Sequence, residues 1–438
     1  MRLDELEFSA PNTVALRELA YTRAPSSSPA AIENRATSFS TYGFPVALSL
    51  VLLAGILLRL FLPAGFNGTG FDENLYRTYV VILDHVGISH YATLIDGFVI
   101  DQLNPDHMAI LPPTRIFYIV GGYAYHHLFA LTPLSALRAL SCHFSILTLL
   151  VSILFCWRLT RRPMFTTAVA ALLACDPAQI HLGQHALIDG IFGFWALLVV
   201  WLLWENLRQP DSARWQVSYA FALAAMVMTK ENAFFVFAAV LAILVSNRWF
   251  KFGHVTRRLV LTTFLGATAG FAVVVIAAGG LKQFVLVFEL LKQKVPVLPY
   301  TIHTGGGPWH RYLVDLLLVS PFIIVLAMAN ILQSGVRCAG ANRYLTVFSC
   351  VTYAVLMAFP DGMNLRYIVM LDMPLRFLAA DQTFALAKNW GRYKNALLAC
   401  AIIMLCGYDL RQHRILFVKG ALYELVTEGL VRAQGVIR

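Results

Sequence analysis

Charge is scarce in this chain. Of its 438 residues only 13% are Asp, Glu, Lys or Arg, about half the share usual in a soluble domain. With 58% hydrophobic residues, that shortage excludes an ordinary water-soluble fold. Acidic residues are the scarcer sign, 24 against 34 basic, for a net charge of +10. The basic residues stand mostly in short stretches between apolar runs, where they set membrane topology, so no nucleic-acid partner is expected. Metal-type cysteine spacing is missing as well. Cys142, Cys156, Cys175, Cys338, Cys350, Cys400 and Cys406 fall in or beside apolar runs and read as small packing residues. No basic segment followed by an apolar run opens the chain, so no cleaved leader is expected. Residues 1–43, with the linker-like Ala24 to Pro29, are expected to form a cytoplasmic tail.

What the chain has in abundance is apolar runs of roughly 18 to 22 residues, the length that crosses a hydrocarbon core. They fall near 44–62, 134–157, 164–178, 190–206, 215–230, 233–247, 257–278, 312–332, 343–359, 366–384 and 394–410. The expected fold is an all-α polytopic membrane protein with about eleven transmembrane helices. Residues 205–214, 247–258, 337–343 and 388–394 each carry at least two basic residues and are assigned to the cytoplasm. Alternation then leaves a long first outer loop (63–133), a later outer loop (279–311) and the short pieces 178–189, around Lys230, and 360–366 on the other face. Arg115–Leu131 is aromatic and interrupted by Gly121 and Gly122. It reads as a span or as a helix lying in the interface, and the simplest count favours the interface. Residues 44–410 form the transmembrane unit, and 411–438 a short C-terminal tail.

Ionisable residues at membrane boundaries mark where chemistry is to be sought. The sharpest signal is Gly70-Phe71-Asp72-Glu73-Asn74-Leu75-Tyr76, just after the first span. Two readings fit it: Asp72 as a helix N-cap with Glu73 favouring the helix dipole, or a general base beside the lipid surface. Asp361-Gly362-Met363-Asn364-Leu365-Arg366-Tyr367 opens a later span. Arg366 there either snorkels or holds a phosphate by paired hydrogen bonds, with Tyr367 alongside. Thr229-Lys230-Glu231-Asn232 reads as a tight turn with a local ion pair, or as a lysine neutralising a lipid-phosphate headgroup. His181, His185 and Asp189 recur at four-residue spacing and would share a helical face. Gly183 interrupts them, and a structural role outweighs a zinc site. Leu281–Lys294 reads as a basic amphipathic surface helix. Gly305-Gly306-Gly307 lacks the strand–helix context of a nucleotide-binding loop.

Taken as an ordered series, these residues resemble the polytopic GT-C glycosyltransferases that use polyprenyl- or dolichyl-phosphate sugars, among them protein O-mannosyltransferases and aminoarabinose transferases. The resemblance covers most of 44–385. It runs through Asp72-Glu73 and Tyr76, Pro112-Pro113 before Phe117 and Tyr118, and Leu137-Arg138-Ala139-Leu140-Ser141. It continues through Arg161-Arg162, Asp176-Pro177, Asp189, Thr229-Lys230, Arg366-Tyr367 and Met373-Pro374. It implies inverting transfer of a sugar from a polyprenyl-phosphate carrier to a hydroxyl acceptor on the extracytoplasmic face of the plasma (inner) membrane. Asp72 would be the catalytic base. Glu73, Tyr76, Asp189, Lys230, Arg311, Arg366 and Tyr367 would bind substrate. Many relatives carry Lys immediately before the Pro-Pro pair, where Leu111 stands here; Lys230, Arg311 or Arg115 would have to replace it. Expected partners are the lipid-linked donor, membrane lipid, and a protein, lipid or glycan acceptor. No metal ligand set stands out, and a divalent cation is left open as cofactor. The competing reading is a transporter or flippase of a lipid-linked saccharide, which calls for broken helices at mid-membrane and internal repeats. No convincing repeat is found.

Overall fold

The computed structural model describes residues 34–298, 301–337, 340–359 and 363–436. Most of the expected cytoplasmic tail, Cys338, Asp361 and Gly362 lie outside the described residues. Every regular element among those described is helical. In chain order they are α1 (Asn34–Phe61), α2 (Phe71–Val86), α3 (Ala92–Leu103), α4 (Ile116–Phe129), α5 (Pro133–Thr160) and α6 (Pro163–Ala174). Next come α7 (Pro177–Gln184), α8 (Ile188–Arg208), α9 (Ala213–Thr229), α10 (Ala233–Phe250), α11 (Arg257–Ala277) and α12 (Leu281–Lys294). The last are α13 (Arg311–Val319), α14 (Pro321–Arg337), α15 (Gly340–Met357), α16 (Asp372–Ala387), α17 (Lys394–His413) and α18 (Thr427–Ala433).

Six of these, α1, α5, α8, α10, α11 and α17 with its flanking turns, are long and apolar enough to cross a bilayer. With the shorter α6, α9, α14, α15 and α16 they occupy all eleven positions expected from hydropathy, and the chain is an integral membrane protein. Two of the expected runs are broken. The run at 312–332 divides at Ser320-Pro321, because proline cannot continue the hydrogen-bond ladder of α13 but is well suited to begin α14. The run at 366–384 begins as a 3₁₀ segment, Leu365–Leu371, and becomes α-helical only at Asp372.

Helix α8 is the axis of the bundle. Its apolar window is 89% buried, against 11% for α1, which faces outward. α5 and α9 pack on α8; α11 packs on α9; α14 and α6 pack on α16. The α9–α11 seam is built from small residues. A Cβ on Gly266 would meet the backbone of Ala220 at 2.8 Å, and one on Gly270 the Ala224 carbonyl oxygen at 2.5 Å. Close backbone approach between small residues is how helices gain packing where no hydrophobic force separates protein from lipid.

The bundle has two distinct ends. α5, with 28 residues, is about 42 Å long at 1.5 Å per residue. At its C-terminal end Arg158 pairs with Glu205 at 2.6 Å, His254 N donates to Leu207 O at 2.7 Å, Phe252 meets Tyr344 edge-on, and Arg162 lies over Phe384. The basic loops expected in the cytoplasm therefore gather together. At the other end α2, α3, α4 and α12 form a cap. α4 has 14 residues, about 21 Å, too short for a core of about 30 Å. It lies against α2 and α5. α12 covers α3, with Gln283 donating to Asp96 at 2.8 Å and Lys294 Nζ to the carbonyls of Asn104 (2.7 Å) and His107 (2.8 Å).

One expected outer loop is misread by hydropathy. Residues 177–184 form α7, whose residues Pro177 to Gly183 are buried inside the bundle. Asp176 caps it, accepting from the amides of Ala178 (2.9 Å) and Gln179 (3.3 Å), and Pro177 fills the first helical position.

Candidate active site

Helix α2 starts at the cap end, and its first turn separates two adjacent carboxylates. Gly70 is the N-cap, so Asp72 and Glu73 are the second and third helical residues. Consecutive helix positions point about 100° apart, and here the two carboxylates enter different surroundings. Glu73 turns inward. It accepts from Arg138 Nε (2.9 Å) and Nη2 (3.0 Å), from Ala186 N (2.7 Å) and from Gly70 N (3.0 Å), with His185 at 3.6 Å. Desolvation raises its pKa, but those donors outweigh it and hold the carboxyl below the usual carboxylate range. Expected as a substrate contact, Glu73 is instead the anchor that joins α2, α5 and the α7–α8 turn.

Asp72 turns the other way and meets Arg366. The carboxylate lies 2.7 Å from Arg366 Nη2. Arg366 Nε is 3.6 Å from Asp189, and its Nη1 is 3.6 Å from Glu424. Lys230 Nζ donates to Asp189 at 2.5 Å and sits 4.0 Å above the Tyr367 ring, which also lies 5.6 Å from the Arg366 guanidinium. Arg115 follows in the same layer. It donates to the Tyr76 hydroxyl and pairs with Glu231, next to Lys230 in sequence. Desolvation pushes the Glu231 carboxyl up, yet Arg115 prevails and pulls it down to about 2. Three cations and four carboxylates thus interlock across α2, the residue before α4, the start of α8, the α9–α10 turn, the 3₁₀ segment and the C-terminal stretch.

Two cavities open on this layer. One, of about 400 Å³, runs between α9, α10, α11 and α12, with Arg115, Lys230 and Glu231 at one end and Phe234, Phe237, Phe271, Val274, Phe284 and Phe288 along its wall. The other, of about 250 Å³, is lined by Asp72, Arg366, Tyr367 and Glu424 together with Phe71, Ile110, Leu111, Leu291, Val295 and Leu298. Each joins charged groups to an apolar wall. Among the described residues Arg366 Nε and Nη1 make no hydrogen bond, although both are buried. A guanidinium in that state is costly, and an anion with several acceptor oxygens would satisfy it.

The arrangement brings together Asp72, Tyr76, Asp189, Lys230, Arg366 and Tyr367. It leaves out Arg311, which donates to Thr427 at 2.8 Å and to the Gly306 carbonyl beside α18. Of the three proposed stand-ins for the missing lysine before Pro112, Arg115 and Lys230 share one cavity and Arg311 lines another. The His181 and His185 rings meet, 4.7 Å between centroids, but Asp189 does not join them. His181 stacks on Phe417 at 4.2 Å and meets Tyr423 O at 3.0 Å, while Asp189 is engaged by Lys230 and Arg366. Sequence reasoning missed Glu424 and Arg138. Glu424 accepts from Asn364 Nδ2 at 2.7 Å, and burial pushes its carboxyl up while Arg366 opposes that. No local pattern marks Glu424; it arrives because the chain after α17 folds back, with Leu365 N donating to Leu425 O at 3.0 Å. Arg138 was visible only as part of a motif.

A second buried ion network lies deeper. Arg376 pairs with Asp176 at 2.9 Å and Asp409 at 3.2 Å, and Gln179 donates to Asp372 at 2.8 Å. The space beside it is only about 20 Å³, so it reads as a tie between α7, α16 and α17.

Solved structures share this architecture. ArnT from Cupriavidus metallidurans in the apo state aligns with a TM-score of 0.51 at 17% identity, over 85% of this chain and 64% of that one. The same protein bound to undecaprenyl phosphate aligns with a TM-score of 0.50 at 18% identity, over 84% of this chain and 64% of that one. The archaeal oligosaccharyltransferase AglB from Archaeoglobus fulgidus, in complex with an inhibitory peptide and a dolichol-phosphate, reaches 0.57 at 14% identity, over 88% of this chain and 56% of that one. The fold is the one common to these GT-C membrane glycosyltransferases. This chain spans less than two thirds of either relative. Residues 120–292 match the family model described as dolichyl-phosphate-mannose-protein mannosyltransferase. No curated protein matches the chain by sequence.

Proposed function

We propose that the chain is an inverting glycosyltransferase that moves a sugar from a polyprenyl-phosphate carrier to a hydroxyl acceptor at the extracytoplasmic face of the plasma (inner) membrane. The observation that carries this reading is the buried Arg366 guanidinium, two of its nitrogens without hydrogen bonds, 2.7 Å from Asp72 on a cavity with an apolar wall. A phosphodiester on a greasy chain has the complementary chemistry. The aromatic groove beside Arg115 and Lys230 suits the first isoprene units, with the phosphate against the cations.

Asp72 then takes the acceptor hydroxyl proton as the acceptor oxygen bonds to the anomeric carbon. The bond from that carbon to the phosphate oxygen breaks on the opposite side, which inverts configuration. Arg366, Lys230 and Arg115 stabilise the charge left on the lipid phosphate. Phosphate capturing Arg366 also loosens its hold on Asp72, so donor binding frees the base. In this reading residues 44–410 are the catalytic unit, 1–43 face the cytoplasm, and Tyr76, Asp189 and Tyr367 orient the cations. The acceptor is a protein, lipid or glycan hydroxyl.

The test is transfer by the full chain in nanodiscs, with a panel of polyprenyl-phosphate sugars and the labelled product identified by mass. Transfer by the native chain and none by Asp72→Asn supports the proposal. Lipid-linked sugar carried across sealed vesicles without any new glycosidic bond would replace it with the flippase alternative.

A further inference from the structure

Outside that site, the far ends of α2 and α4 bring together three side chains that bind metals. Asp84 stands in the last turn of α2, and His126 and His127 stand in the last turn of α4. One ligand atom from each lies within 4.8 Å of the other two. His127 Nε2 is 2.9 Å from Asp84 Oδ1, and His126 Nε2 is 3.7 Å from Asp84 Oδ2. Four-coordinate zinc with bonds of about 2.0–2.1 Å separates its ligand atoms by about 3.3 Å. The two observed separations, each to a different oxygen of the Asp84 carboxylate, lie on either side of that value.

The second-nitrogen contacts strengthen the case. His126 Nδ1 bonds to the Leu131 carbonyl oxygen, which only accepts, so Nδ1 carries the proton. That bond leaves Nε2 as the ring nitrogen on the Asp84 side, 3.7 Å from Oδ2. A histidine whose second nitrogen donates to a carbonyl is also the usual arrangement around a bound metal, because it sets the tautomer and the ring plane. The His127 ring is held in turn against Tyr123, centroid to centroid 4.4 Å.

We propose that Asp84, His126 and His127 form a binding site for a divalent cation of the zinc class, with water completing the tetrahedron on the exposed side. The site would pin α2 to α4. These helices run side by side, with Tyr76 and Tyr118 in edge contact at 4.8 Å nearer their starts. Asp72 lies in the first turn of one helix and Arg115 immediately precedes the other, so a metal there would clamp the ends remote from the candidate active site. It is a structural tie, separate from sugar transfer.

The experiment uses the full chain purified without a polyhistidine tag, stripped with chelator, and titrated with zinc against a chromophoric competitor. Cobalt substitution is followed by visible absorption. The expected result is about one zinc per chain, intense tetrahedral cobalt bands, and a melting temperature several degrees higher with zinc than with chelator. Asp84→Asn and His127→Gln should each abolish binding and that shift, whereas His85→Gln should leave both intact. Size-exclusion profiles and helix content confirm that the variants are folded. Should the stripped native chain bind no more zinc than Asp84→Asn, the cluster is a bare imidazolium–carboxylate pair and the proposal is overturned.

Discussion

Asp72 and Glu73 are neighbours in sequence and opposites in surroundings. Glu73 spends its lone pairs on four donors, whereas Asp72 pairs directly with one cation at the wall of a cavity. General base catalysis contributes typically about 10²- to 10⁴-fold, so Asp72→Asn should lower kcat by at least about 100-fold. Its melting temperature should stay close to that of the native chain, as checked by turnover and thermal unfolding of one preparation. Arg366→Lys keeps the charge and loses the planar fork. Its cost at a charged hydrogen bond, about 1.5–3 kcal/mol, corresponds to a rise in the donor Kd of about ten- to a hundred-fold. Direct binding of polyprenyl phosphate reads it, and unchanged affinity would remove Arg366 from the phosphate site. The adjacent acidic pair was legible in the sequence. Which member faces the cavity was not, because that is set by where α2 begins, and the N-cap is Gly70 rather than Asp72.

Helices carry these residues only as accurately as they pack. The groove proposed for the lipid chain has α11 as one wall, through Ala267, Phe271 and Val274. α11 is seated on α9 by Gly266 and Gly270. Gly270→Leu forces that seam apart at a cost of about 1–3 kcal/mol. The wall should move with it, so a lower melting temperature is expected together with weaker donor binding. The Arg376 network gives a contrasting outcome. Arg376→Met leaves Asp176 and Asp409 buried without their cation, and breaking such a pair costs about 3–5 kcal/mol. Unfolding in detergent should therefore shift strongly. If that variant is as stable as the native chain, the tie is not structural. At this scale the eleven apolar runs were readable, yet buried α7 was read as a loop. Its gaps in hydropathy, Gln179, His181 and Gln184, are polar groups that each make a hydrogen bond inside the bundle or at its edge.

For the whole molecule, the basic loops meet at one end and the candidate site lies at the other. That division makes a prediction about sides. In a cysteine-free background, Asp106→Cys in the cap should react with an impermeant maleimide on intact cells. Lys394→Cys at the start of α17 should react only after permeabilisation. The reverse pattern would put the site in the cytosol and end the proposed reaction there. The tail after α17 was read as a short appendage; it returns to the cap and delivers Glu424 beside Arg366.

The sequence by itself determined the bilayer as solvent, the number and order of the helical runs and the ends at which charge collects. Those properties follow from apolar length and loop charge, both local along the chain. Only the tertiary structure decided that Asp72, Asp189, Lys230, Arg366 and Glu424 share one pocket, and that Arg311 does not. Partners separated by some 40 to 350 residues are chosen by how the helices pack, and no window along the chain is wide enough to hold that choice.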